Sequence, residues 1–221
     1  MKIALLTSYF GVCPYEFLFM GAATEYCTRH SYNLISIRGQ YDVDQNFNFG
    51  IPFKTSYGGE PWIWWYKQSL ISTYLPLYDY VLWIDMDCLL LNMSLSIQTL
   101  IEEFGDNDLL VADHRGIPDT GLLLFRNSVA TREWVRYWIE YGYTKFATAA
   151  CVPHNNHAAF ESMYATGALP ANSKVVVSPQ FGVGHGFMDG QLSTTLAMHV
   201  YGTPIEEKVQ IMAAFQNRIR R

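Results

Sequence analysis

Short apolar runs alternate with helical patterns along the chain, and this alternation restricts its fold more than any other feature. KIALLTS, YNLISIRG, YDYVLWI, NDLLVAD and DTGLLLFRNS read as strands, whereas EFLFMGAATEYCTRHS and PWIWWYKQSLISTYL read as helices. Strand and helix taking turns points to an α/β fold with a mostly parallel sheet. A helix around Ser94 to Phe104 follows, then VATREWVRYWIEYG, in which Val135, Trp138 and Tyr141 or Gly142 recur at helical spacing. HNNHAAFESMYATGAL reads as helix and SKVVVSP as strand, and TTLAMHVYG leads through Pro204 into a closing amphipathic helix. Pro61 suits a first helical position.

The chain has 221 residues, half of them hydrophobic, enough for a single domain with a sizeable core. Fifteen Lys and Arg against 20 Asp and Glu leave a net charge of -5, which gives no general attraction for nucleic acid. The terminal RIRR reads as a solvated helix end. Four cysteines, Cys13, Cys27, Cys88 and Cys151, show no CxxC pairing, so neither a zinc ribbon nor a disulfide framework is indicated. The N-terminal apolar run breaks at Thr7-Ser8, as a first strand rather than a signal peptide. Nowhere do 18 apolar residues run together, so no membrane span is expected, and a soluble, cytoplasmic setting fits.

The third strand run ends in Asp85-Met86-Asp87, two carboxylates where burying charge is costly unless a cation compensates it. On a continuing strand, residues i and i+2 stand about 7 Å apart along the chain, so the two carboxylates close on one ion only if the strand ends and the backbone turns. Carboxylate oxygens are the hard ligands that Mg²⁺ or Mn²⁺ prefers. Taken alone, the pair equally fits a turn on a surface loop.

Several stretches, in order, resemble glycosyltransferase family 34 of the GT-A class, the galactosyl-, mannosyl- and xylosyltransferase group. YCTRHSYNL (Tyr26 to Leu34) is similar to its tyrosine, histidine and tyrosine entering the second strand, and WWYKQSLISTYLPLYDYVLWIDMDCLLLN to its Trp- and Lys-bearing helix followed by DxD. DTGLLLFRNS resembles its N-T-G-S-F-L-I-R-N segment, and MHVYGTP with EKVQIMAAF its histidine-to-glycine ending and final helix. The resemblance implies a GT-A fold, with a nucleotide-binding half over about 1–92 and an acceptor half over about 93–221. It further implies a nucleotide-sugar donor, UDP favoured, a glycan or glycoprotein acceptor, retention of configuration, and Mn²⁺, with Mg²⁺ the alternative. Asp85, Asp87 and His199 become the metal ligands; apart from the resemblance, His199 reads as a satisfied histidine at a strand end.

Ile63, Lys67, Leu70 and Tyr74 follow i, i+4, i+7, i+11, which puts Lys67 on the inward stripe of its helix. Its ammonium either snorkels out or meets a buried anion, and the family's lysine here points to the donor diphosphate. Thr7, Ser8 and Tyr9 sit where GT-A proteins hold base and ribose, with Arg38 nearby; as plain residues they are turn polars and a surface arginine. Asp113 and the Asp119-Thr120-Gly121 turn resemble the sugar and acceptor edge, and Gly202 the glycine after the late histidine.

Two departures stand out. Asn155-Asn156-His157 replaces the family's acidic pair and glutamine, so Asp119 and Asp113 become the candidates to assist at the anomeric carbon, with Asn156 and His157 beside them. Pro204 stands where a lysine usually follows His199 and Gly202. Two further motifs have ordinary readings: His154, His157 and Glu161 at helical spacing are polar helix residues rather than a second metal site, and GVGHG is a lid rather than a phosphate loop. The competing functions are a non-catalytic nucleotide-sugar binding module and, less favoured, a HAD-type phosphatase. The absence of an anchor points to a microbial or virus-encoded enzyme, or a trimmed chain.

Overall fold

A computed structural model describes residues 1–39, 63–114, 117–146, 156–176, 181–184, 194–200 and 202–219. Its main sheet has six strands in the order β2-β1-β3-β6-β5-β7. These are β1 (Ile3–Phe10), β2 (Asn33–Gly39), β3 (Tyr80–Ile84), β5 (Leu109–His114), β6 (Ile117–Arg126) and β7 (Ser173–Val176). β1 is parallel to both β2 and β3, and β5 to β7, while β6 runs antiparallel between β3 and β5. The mostly parallel sheet expected from the alternation is present. A smaller sheet joins β4 (Cys88–Leu90), β9 (Ala197–His199) and β8 (Gly182–Gly184).

Strand alternation divides the core into two layers. Ile3, Leu5, Leu82 and Ile84 pack on one face of the sheet, beneath α1 (Glu16–His30), α3 (Ile97–Phe104) and α6 (Ile205–Ile219). Ala4, Leu6, Val81 and Trp83 pack on the other, beneath α2 (Ile63–Tyr74), α4 (Val129–Phe146) and α5 (Asn156–Ala165). Such strands are apolar throughout because both faces are covered. α3 starts three residues later than its sequence suggests, because the Ser96 hydroxyl accepts the Thr99 N–H at 3.0 Å and caps it there. β8 comes from the glycine-rich stretch expected to be a lid; the remainder of that stretch, with Asn155, His154, Pro61 and Trp62, lies outside the described residues. No helix among the described residues is long and apolar enough to cross a membrane.

β1 leads through α1 to β2 on one side, and the chain then returns to place β3 on the other. The carboxyl ends of β1 and β3 therefore flank a topological switch point, where open α/β sheets form their ligand crevices.

Candidate functional site

A cleft of about 400 Å³ opens at this switch point, lined by Ser8, Tyr9 and Phe10 of β1, Lys67 of α2, and Trp83, Asp85 and Asp87 around the end of β3. β3 stops at Ile84, and the Cys88 N–H donates to the Asp85 carbonyl at 2.9 Å, closing a turn over residues 85–88. The turn separates the two carboxylates. Asp85 continues the α2-facing side of β3, where Lys67 Nζ stands 2.9 Å from Oδ1 and the Trp83 indole donates to that oxygen at 2.7 Å. Asp87 faces the smaller sheet and α6: His199 Nε2 is 3.2 Å from Oδ1, and Lys208 Nζ donates to Oδ2 at 2.5 Å.

The expectation that a cation meets these carboxylates is thus met by the protein's own side chains. Lys67 does not snorkel: it is 7% exposed and donates also to the Thr120 carbonyl at 2.8 Å, so its buried anion is Asp85. His199 lies between two carboxylates, with Nδ1 2.8 Å from Asp119 Oδ1. Asp119 Oδ1 also accepts the Gly121 N–H at 2.7 Å. The imidazole lies flat against Gly121, where a Cβ would come within 2.3 Å of its Cε1, so only glycine leaves room for the ring.

Burial works against the charge of Asp87, but the hydrogen bond and attraction of His199, with Lys208 behind, hold its carboxyl well below the usual range. Asp119 is lowered too, against its burial, by His199, the Gly121 N–H and Lys67. For His199, burial favours the neutral ring, yet Asp119 and Asp87 outweigh it and carry its pKa up to about 10. The charged groups around that ring are Asp85, Asp87 and Asp119, with Lys67 and Lys208 on their far sides. Because the folded pKa lies above the ordinary 6.5, the stability that His199 contributes is complete below 6.5 and is lost as pH rises towards 10. Melting in chelator is expected to show the temperature falling over that window, and His199→Gln to flatten the fall. An equally steep fall in the variant would assign it to another group.

The same residues fit a divalent ion. Oxygen and nitrogen ligands about 2.1 Å from a metal lie ~3 Å from one another, and His199 Nε2 is 3.2 Å from Asp87 and 3.9 Å from Asp85. Two carboxylates and an imidazole are a donor set able to hold a divalent ion, and Asp119 on Nδ1 is the carboxylate partner that a metal-bound histidine commonly has. Cys88 Sγ lies within 4.8 Å of ligand atoms of Asp87 and His199. It is fully buried, however, and donates to the Gly121 carbonyl at 3.5 Å; burial and the neighbouring carboxylates push the thiol far up.

No protein-family model matches the sequence, and no curated protein matches it. Solved structures do. A glycosyltransferase involved in the glycosylation of the major capsid of PBCV-1 superposes with a TM-score of 0.72 at 16% identity, over 97% of this chain and 100% of that one. The fold is that of the GT-A glycosyltransferases. Mouse xyloside xylosyltransferase 1 in its apo form superposes with a TM-score of 0.53 at 11% identity, over 92% of this chain and 99% of that one.

Within this GT-A fold, Asp85, Asp87, His199, Lys67, Asp119 and Gly121 come together, and Ser8 and Tyr9 line the cleft. Others do not. Thr7 is fully buried in β1 and does not line the cleft, which takes the last three residues of that strand, Ser8, Tyr9 and Phe10, from both of its faces. Arg38 is exposed, donates to the Gly11 carbonyl at 3.1 Å and lies over the Tyr9 ring. Asp119 is buried behind His199 instead of lining the cleft. Gly202 is an exposed turn residue with φ of 67°. Asp113 is near the end of β5, opposite Pro118, and its side chain lies outside the described residues. Asn156 lines the cleft; His157 is 3.2 Å from the Thr120 hydroxyl and 3.2 Å from Glu161. The sequence reading missed Lys208. It shares an inward stripe with Met212 and Phe215, the argument that singled out Lys67, so the signal was available.

Proposed function

We propose that this chain is a metal-dependent glycosyltransferase that moves a sugar from a nucleotide-sugar donor, a UDP-sugar first, to a glycan acceptor. One observation carries the reading: Asp85 and Asp87 line the cleft of a GT-A fold, His199 converges on both, and Lys67 lines the cleft paired with Asp85. Asp85, Asp87 and His199 would hold Mn²⁺ or Mg²⁺, whose contribution when bound is Lewis-acid stabilisation of the departing diphosphate. Asp119 keeps the His199 ring oriented from its Nδ1 side. Lys67 places a fixed positive charge at the diphosphate end, where charge develops as the glycosidic bond breaks. Ser8 and Tyr9 border the room for the nucleoside, and retention of configuration follows from the family-34 resemblance. The PBCV-1 neighbour's part in glycosylating a capsid makes a protein-borne glycan the acceptor to try first.

A second reading, a binding module without turnover, has Asn156 in its favour, since an amide borders the cleft where the resembled family has acidic groups. Melting the protein with a panel of nucleotide sugars, in Mn²⁺ and in EDTA, followed by NMR of any donor that binds, separates the two. Stabilisation in Mn²⁺ with slow donor hydrolysis is expected; binding without hydrolysis or transfer to any acceptor leaves the binding module. Lys67→Met keeps the stem and removes the charge, and should weaken UDP binding by roughly 10-fold or more, the scale of one charge-assisted contact. Unchanged UDP affinity would confine Lys67 to its Asp85 pair.

A further inference from the structure

The two lysines at the aspartate turn are held differently. Lys67 is fixed twice, by Asp85 and by the Thr120 carbonyl, and its side chain is 8% exposed. Lys208 projects from α6 to a single hydrogen-bonding partner among the described residues, Asp87 Oδ2 at 2.5 Å. Its ammonium otherwise lies 5.9 Å from the centre of the Tyr15 ring, and Tyr15 and Ile205, the first residue of α6, both line the cleft. An ammonium on a flexible four-carbon stem, with one strong partner and a cleft beside it, can change partners without the helix moving.

Both oxygens of Asp87 already face a protein partner. Oδ1 takes His199 and Oδ2 takes Lys208, so a divalent ion binding Asp87 meets a resident cation whose repulsion it must overcome at close range. We propose that Lys208 is an exchangeable counter-ion: it competes with the divalent ion for Asp87 and moves to the anionic donor when the ion binds, making ion and donor binding cooperative. This rests on the donor reading above. The physical basis is linkage: a charge shared between two sites couples them, and the coupling is reciprocal. Without Lys208, Asp87 would accept the ion readily, but the donor would gain less from it.

The test is Mn²⁺ binding to the full chain, followed by the paramagnetic resonance of free Mn²⁺, first alone and then with saturating UDP. Lys208→Met is expected to bind Mn²⁺ alone roughly 10-fold more tightly than the unaltered chain, and the tightening that UDP produces is expected to shrink by roughly the same factor. Lys208→Arg, which retains the charge, should bind Mn²⁺ alone as weakly as the unaltered chain. Lys208→Gln carries the same expectation as the Met variant, should the latter not fold. Equal or weaker Mn²⁺ binding by the charge-removing variant overturns the proposal, as does failure of every variant to bind Mn²⁺. Tighter Mn²⁺ binding with no effect of UDP on any form would support the competition at Asp87 and overturn the donor reading and the transfer to it.

Discussion

Asp87→Asn is expected to abolish the Mn²⁺ dependence of UDP binding while the chain stays folded. In the proposed reading, a diphosphate brought up to Asp85 and Asp87 would be repelled by them, and a divalent ion held there would, at an effective dielectric near 20, contribute several kcal/mol, on the order of 10²-fold or more in affinity. Asp87 is the ligand with most to lose, because it is the carboxylate nearer to His199 Nε2, at 3.2 Å against 3.9 Å for Asp85. The substitution leaves His199 and Lys208 without their shared anion, at a cost of about 1–3 kcal/mol for a group still partly open to water. The melting temperature should therefore drop without the transition being lost. Titration calorimetry of UDP in Mn²⁺ and in EDTA reads the result. UDP affinity that still responds to Mn²⁺ in the variant would move the metal away from this turn, and complete unfolding would make Asp87 a structural residue.

Much of the fold is legible because its information is local. Continuous apolar runs such as Val81 to Ile84 announce strands covered on both faces, and the stripe through Leu70 and Tyr74 announces the helix carrying Lys67. The sequence does not announce strand direction: DTGLLLFRNS reads as a strand whether it runs parallel or, as β6 does, antiparallel between β3 and β5. β4, β8 and β9 have three residues each, too short for a period to show. That smaller sheet carries His199 to Asp87, so the convergence of residues 112 positions apart was accessible only through the family resemblance. Thr7 and Ser8 differ by one step along β1, and how far down the strand the cleft reaches, to Ser8 but not to Thr7, is set by the surrounding elements and not by the local pattern.

Asp119 provides the sharpest test of what the structure adds. From sequence it is favoured over Asp113 as the carboxylate that assists at the anomeric carbon, in which case Asp119→Asn would lower turnover by roughly 10² or more with donor affinity nearly unchanged. The structure shows its carboxylate engaged with His199 and Gly121. Its two oxygens lie 2.8 and 3.0 Å from His199 Nδ1, one also accepts the Gly121 N–H, and the residue is 7% exposed. A carboxylate so engaged fixes the orientation of the ring and turns Nε2 towards Asp87, where the proposed ion would be held. Asp119→Asn keeps the volume and an acceptor oxygen but removes the charge that favours this arrangement. Mn²⁺ affinity is therefore expected to fall by roughly 10- to 100-fold, the usual cost of losing such a partner, with turnover largely restored at saturating Mn²⁺. Measuring donor hydrolysis across a Mn²⁺ titration separates the two roles: a shift in the Mn²⁺ midpoint marks a positioning residue, whereas a loss of 10² or more that no Mn²⁺ concentration restores would return Asp119 to the chemical step.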